Sequence, residues 1–253
     1  MQIGADIYCD SLCIIREIER RHPSPTLYPG GSNGIAWGLS RWTDGELLTL
    51  CVGLVLGSAI EDLPADFAAD RGRLYFGPDF DLHAHGRDRP HKLAQLRTHL
   101  SWVEEGLNQQ RQFMLGDSPA LPDALIYYTV WFLRGRYAGG AELLNEFPAL
   151  LAWEQRMLAL GHGESSDLTS AQALEIARAA KPQTPVTMDA NDPQRFAAGA
   201  NVQVQPDGNG GDPMVTGKLR ALTRDIISID RVDPSVGDIT VHFPRAGYRI
   251  ESA

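Results

Sequence analysis

The chain has 253 residues, 43% of them hydrophobic and 22% charged, a composition of folded globular protein that excludes collagen, a coiled-coil rod and a long disordered tail. Twenty-three Lys and Arg against 32 Asp and Glu leave a net charge of −9, and no basic patch interrupts it, so nucleic acid is not an expected partner. The longest apolar run, 47–60, spans fourteen residues with two glycines, short of the roughly 20 a bilayer requires, so no membrane span is expected.

The opening residues carry no basic-then-apolar export pattern. Three cysteines, Cys9, Cys13 and Cys51, are an odd count with no export signal, which points to a reducing cytoplasm. At the N-terminus, Gln2-Ile3 and Asp6-Ile7-Tyr8-Cys9 flank Gly4-Ala5 and predict a tight hairpin. Leu12, Ile14, Ile15 and Ile18 then line one face of a helix, with Ser11 as its expected N-cap. Arg16, Glu17, Glu19, Arg20 and Arg21 take the opposite, solvated face, and Pro23 and Pro25 end the helix. Two strands and a helix cannot bury a core alone, so this piece must dock on a larger body.

From 32 to 180 the pattern is helical, with helices expected over 35–41, 44–60, 91–109, 121–133, 142–147, 148–160 and 170–179. Breaks fall at Pro64, Gly77-Pro78, Gly116, Gly139-Gly140 and Gly161-His162-Gly163, which makes a bundle of ordinary domain size. After the proline linker Lys181-Pro182-Gln183-Thr184-Pro185 the period changes to two. Val202/Val204, Leu219/Leu222, Ile227/Ile229 and Ile239/Val241/Phe243 alternate with polar residues. Turn signals separate them, among them the run 206–211, and four or five short strands at this spacing predict a small closed β-barrel. The fold class expected is multi-domain α+β: a partial α/β unit over 1–25, an all-α bundle over 32–180 and an all-β barrel over 186–253.

The order of motifs resembles the glutathione S-transferase family over about residues 1–180. In that family the thioredoxin-like domain closes with a hairpin whose last strand ends in an acidic residue and a serine that open a helix, here Asp10-Ser11 within Tyr8-Cys9-Asp10-Ser11-Leu12-Cys13. The resemblance implies glutathione as co-substrate. A helix N-terminal serine offers hydroxyl and backbone N–H groups to its γ-glutamyl carboxylate, and the acidic neighbour pairs with its amino group. In the stretch 113–124, Asp123 matches the family's capping-box aspartate of the central buried helix. Ala120 stands where a Ser or Thr cap is expected, so only half of the box is available. The family's first strands, its proline turn and its catalytic Tyr, Ser or Cys have no counterpart after Met1, so no catalytic residue is assigned and the chain is expected to be inactive if it is truncated. The implied reaction is conjugation or reduction of a small apolar electrophile, with Trp37 and Trp42 as pocket residues and a homodimer as the family's usual assembly. A non-catalytic binding or scaffold protein is the alternative.

Other constellations have plainer readings. Cys9 and Cys13 read as small buried hydrophobes rather than a thiol pair. His83 and His85, with His91 and His99 beyond, invite a metal reading. Pro78 and Gly86 bracket them in what reads as a loop and further ligands at a set spacing are missing, so no metal is expected. Tyr127 and Trp131 read as core packing. His242, Arg245, Tyr248 and Arg249 read as a turn with solvated charges.

Overall fold

The computed structural model describes residues 1–107, 111–208 and 213–253. In chain order the elements are β1 (Gln2–Ile3), β2 (Asp6–Tyr8), α1 (Ser11–Arg21), a 3₁₀ turn (Pro29–Gly31), α2 (Asn33–Trp42), a π-helical segment (Thr43–Leu47), α3 (Leu48–Ala59), α4 (Ala65–Phe76), α5 (Leu82–Arg87), α6 (Arg89–Leu107), α7 (Leu121–Arg136), α8 (Gly140–Leu144) and α9 (Pro148–Ala159). They continue as α10 (Ser170–Ala179), β3 (Thr187–Met188), β4 (Asn201–Pro206), β5 (Val215–Leu222), β6 (Ile226–Asp233), β7 (Gly237–Pro244) and β8 (Tyr248–Ser252). The expected end of the 91–109 helix and most of the tip of the 206–211 turn lie outside the described residues.

The chain divides into two compact units. One joins Met1–Pro23 to Glu164–Ala253, and the other is Ser24–Gly163. The first is built on a single sheet in the order β1-β2-β7-β6-β5-β4-β8, with β3 alongside β5. Gly4, at φ 61, makes the turn between β1 and β2. β2 then lies parallel to β7, with Asp6 opposite Thr240 and Tyr8 opposite His242. This corrects the expected closed barrel. Closure of 186–253 would need β7 to pair with another C-terminal strand, but β2 occupies that edge, and the hydrogen-bonded path from β1 to β8 stays open. It also takes the opening hairpin and the 170–179 helix out of their expected companies. The Gln2 amide donates to the Ala173 carbonyl on α10 (2.8 Å), and Arg178 of α10 donates to the Ser235 carbonyl (2.7 Å).

One face of the sheet carries the apolar alternates Val202, Val204, Leu219, Leu222, Ile227, Ile229, Val241, Phe243 and Ile250, which form this unit's core. The other face carries polar side chains. A bulge between Leu219 and Ala221 sets Arg220 as the extra residue of β5.

The second unit is helical. Leu100, Val103, Ile126, Val130, Leu144, Leu150 and Trp153 pack as one cluster, and Leu47, Cys51, Leu54, Leu96 and Leu133 as another. α2 and α3 run on through the π segment without a break, which puts Tyr128 within reach of its wall: the phenol donates to Asp44 Oδ1 (2.8 Å) and the Thr43 carbonyl (3.1 Å). Glycines allow α3 and α5 to touch, since a Cβ on Gly57 would stand 2.6 Å from the Gly86 nitrogen. Two helices were not expected here: α4, which starts after the Pro64 break, and α5, which replaces the expected loop around His83 and His85 because Asp81 caps it by accepting from Ala84 N–H (2.9 Å).

Candidate functional site at the start of α1

The ladder between β2 and β7 runs one residue beyond Tyr8, with Cys9 N–H donating to the His242 carbonyl (2.9 Å). The chain then turns at Asp10, which sits at φ 68 and ψ 144, a left-handed conformation that costs a non-glycine residue about 1–3 kcal/mol. Asp10, not Ser11, is the N-cap: its Oδ1 accepts from Leu12 N–H (2.8 Å) and its carbonyl from Ile14 N–H (3.1 Å). The correction is geometric, since a cap must be non-helical and Ser11 is already the first helical residue. Asp10 Oδ2 faces the Tyr248 hydroxyl at 3.5 Å. Ser11 is exposed, and among the described residues nothing engages its hydroxyl. The result is a helix N-terminus with a free hydroxyl and an adjacent carboxylate oxygen, a set that suits a ligand carrying both a carboxylate and an ammonium group.

The thiols nearby are not poised for nucleophilic work. Burial, then Cys9, pushes the Cys13 thiol up to about 12, and burial also raises Cys51. Glu17, expected on the solvated face, is buried: Arg20 and Arg21 donate to it at 2.6–2.8 Å and hold its carboxyl at about 2, against burial. Tyr8, buried beside Glu17 and stacked on His242 at 4.5 Å, is raised to about 12, by burial first.

His242 is likewise not a solvated turn residue. It has no exposed surface, because β7 is covered on both faces. Its Nε2 lies 2.9 Å from Asp6 Oδ1 and its Nδ1 2.8 Å from Ser228 Oγ. Asp6 also accepts from Gln183 N–H (2.8 Å) and Thr184 Oγ1 (3.1 Å). This Ser–His–Asp chain is sealed within the unit, so it serves structure and has no path to substrate. Arg245 instead donates to Gln194, and Arg249 to Asp207.

Trp37 and Trp42 lie in the helical unit, apart from Asp10 and Ser11 in the division of the chain. Trp37 is half-buried against Tyr28, ring centroids 5.8 Å apart. The Trp42 Nε1–H donates to His99 Nδ1 (2.8 Å), which leaves the His99 proton on Nε2, facing Glu46 at 3.6 Å. No pattern in the sequence marked His99 or Glu46 as Trp42's company. Tyr127 packs edge-on to Trp153, but Trp131, expected in the core, is 56% exposed. His83 and His85 sit two residues apart on α5, a spacing that sends helical side chains to different faces. His83 lies 3.8 Å from Glu61 and His85 packs on Phe76 at 4.0 Å. Among the described residues no group of three or more potential ligands gathers.

The helical unit also carries the expected aspartate at the start of α7. Asp123 is fully buried and accepts from Ala120 N–H (3.0 Å), Met114 N–H (2.9 Å) and Trp153 Nε1 (2.7 Å). Ala120 has no side-chain acceptor to return, so half of the capping box is present, as the sequence implied.

A helical unit with a buried aspartate opening its central helix, and a mixed unit with a hairpin and an acid–serine helix start, make an α+β protein. A family model for the glutathione S-transferase C-terminal domain matches residues 67–156. The crystal structure of a GST-like protein from Pseudomonas syringae is 31% identical and covers all of this chain and 80% of that one, with a TM-score of 0.78. FzlA from C. crescentus is a more distant likeness, 22% identical over 59% of each chain with a TM-score of 0.41. Comparison with curated proteins finds no match. The chain belongs to the glutathione S-transferase family.

Proposed function

We propose that the chain binds glutathione at the start of α1 and takes part in its conjugation to, or its reduction of, a small apolar electrophile. In this reading the γ-glutamyl carboxylate lies against the Ser11 hydroxyl and N–H, and the γ-glutamyl ammonium pairs with Asp10 Oδ2. Hairpin and helix are then the closing part of a thioredoxin-like half, and Trp37 and Trp42 line the side of the electrophile. The observation that carries the reading is Asp10, held at φ 68 so that its carboxylate caps α1 while the neighbouring serine hydroxyl stays free. Within this chain no residue is assigned to hold the glutathione sulfur as thiolate. A cytoplasmic homodimer accords with the family and with three free cysteines.

Titration with glutathione tests the reading. Saturable binding that Ser11→Ala weakens at least tenfold supports it. Absence of binding, or equal binding by the variant, rejects it in favour of a non-catalytic binding or scaffold protein.

No helix among the described residues is long and apolar enough to cross a membrane.

A further inference from the structure

The polar face of the sheet is covered at one end and open at the other. At the covered end the segment Gln183-Thr184 seals Asp6 and His242. The open end is a cavity of about 1070 Å³ floored by β4, β5, β6 and β7, with Lys181 and Pro182 at its rim. Arg220 divides the two, donating to the Thr184 carbonyl (2.7 Å) and to Asp230.

The charge in this cavity runs against the unit that contains it. Residues 1–23 and 164–253 hold 12 Lys and Arg against 16 Asp and Glu. The cavity nevertheless draws Lys181, Lys218 and Arg220 into its lining against Asp230 and Asp238, while Arg231, which also borders it, lies with Ile229 on the apolar face of the sheet. Asp230 is already engaged, accepting from Arg220 and from Thr240 Oγ1 (2.7 Å). Among the described residues no ion pair engages Lys181, Lys218 or Arg231. Lys218 stands directly across the ladder from Asn201 on one side and Asp230 on the other, with its side chain exposed. Lys181 and Lys218 therefore share this concavity with Asp238, and a concave wall focuses their field on whatever occupies it.

We propose that this cavity binds a small molecule bearing two or more acidic groups, carboxylate or phosphate, with Lys181 and Lys218 as the principal contacts. Asn201 and Thr216 supply neutral hydrogen bonds, and Asp238 receives a hydroxyl or ammonium of the ligand. The proposal is independent of glutathione binding at α1.

Isothermal titration of the full chain with citrate and with pyrophosphate, at fixed ionic strength, tests it. Saturable binding of either is expected, weakened at least tenfold in Lys181→Ala/Lys218→Ala and unchanged in Arg224→Ala, whose side chain is 84% exposed beyond the cavity. Citrate alone assigns a polycarboxylate and pyrophosphate alone a phosphate-bearing ligand. The proposal falls if neither binds, if the double variant binds as the parent does, or if Arg224→Ala loses as much as the double variant. Ser11→Ala is expected to keep this binding, so its failure and the failure of the glutathione reading are separable.

Discussion

Asp6 and His242 stand 236 positions apart in the chain and meet at 2.9 Å, with 3% and none of their surface exposed. A neutral imidazole satisfies this site fully: Nε2–H donates to Asp6 and Nδ1 accepts from Ser228. The pair fastens the opening hairpin to the C-terminal strands, so its removal leaves a buried carboxylate short of a donor. His242→Ala is expected to cost roughly 2–4 kcal/mol. The midpoint of urea unfolding measures this, and a loss under about 0.5 kcal/mol, that of an ordinary surface change, would contradict it.

Acid should weaken the protein in two windows. Burial lowers the His242 pKa below its ordinary 6.5, and burial does the same to His85. The unfolded chain therefore takes up these protons first, and stability, full above 6.5, declines as pH falls from there. Glu17 acts lower down: its carboxyl, ordinarily near 4.5, is held at about 2 by Arg20 and Arg21, so its contribution is complete above 4.5 and is lost as pH approaches 2. Unfolding midpoints across pH 8 to 3 read both windows. His242→Gln should shrink the upper one to the share of His85, and Glu17→Gln should flatten the lower one only.

Ala120 offers a gain. Its backbone, at φ −138 and ψ 173, already has cap geometry, and Asp123 already fills its side of the box. Ala120→Ser should stabilise by about 1 kcal/mol. Asp123→Ala, which strands three N–H donors, should cost about 3 kcal/mol or more. Thermal unfolding of the two variants, moving in opposite directions, checks the pair.

Two glycines of α3 separate backbone contact from side-chain contact. A Cβ on Gly57 would strike the Gly86 nitrogen and the His85 carbonyl carbon at 2.6 and 2.7 Å. Gly57→Ala should therefore cost about 2–3 kcal/mol. A Cβ on Gly53 meets only side-chain atoms, the far end of Lys92 at 2.9 Å and His85 Nδ1 at 3.1 Å, so Gly53→Ala should cost less than Gly57→Ala, about 1 kcal/mol, helped by helix propensity. Equal losses would refute the distinction.

What the sequence revealed was local. The Gly4-Ala5 turn, the helix faces, the half box at Asp123 and the period-two strands each depend on neighbours a few residues away. What it concealed was partnership. Asp6-Ile7-Tyr8 reads as a hairpin arm whether its far edge meets solvent or β7, so the open sheet was invisible. His242 borders the Pro244–Gly247 turn and takes on its solvated look, although its side chain points into the sheet. Glu17 looks like one more surface charge because, although Arg20 and Arg21 stand three and four residues on, only the fold shows Tyr8 beside it. At the candidate site the Asp10-Ser11 pair was legible, but which of the two caps the helix depended on a backbone angle that no spacing encodes.

The parallel pairing of β2 with β7 also sets an order of events during synthesis. The residues of the helical unit, Ser24–Gly163, lie in the chain between β2 and β7. The hairpin, made before it, must wait for β7 before its edge is covered, so the nascent chain carries an uncapped sheet edge while the residues between them are made.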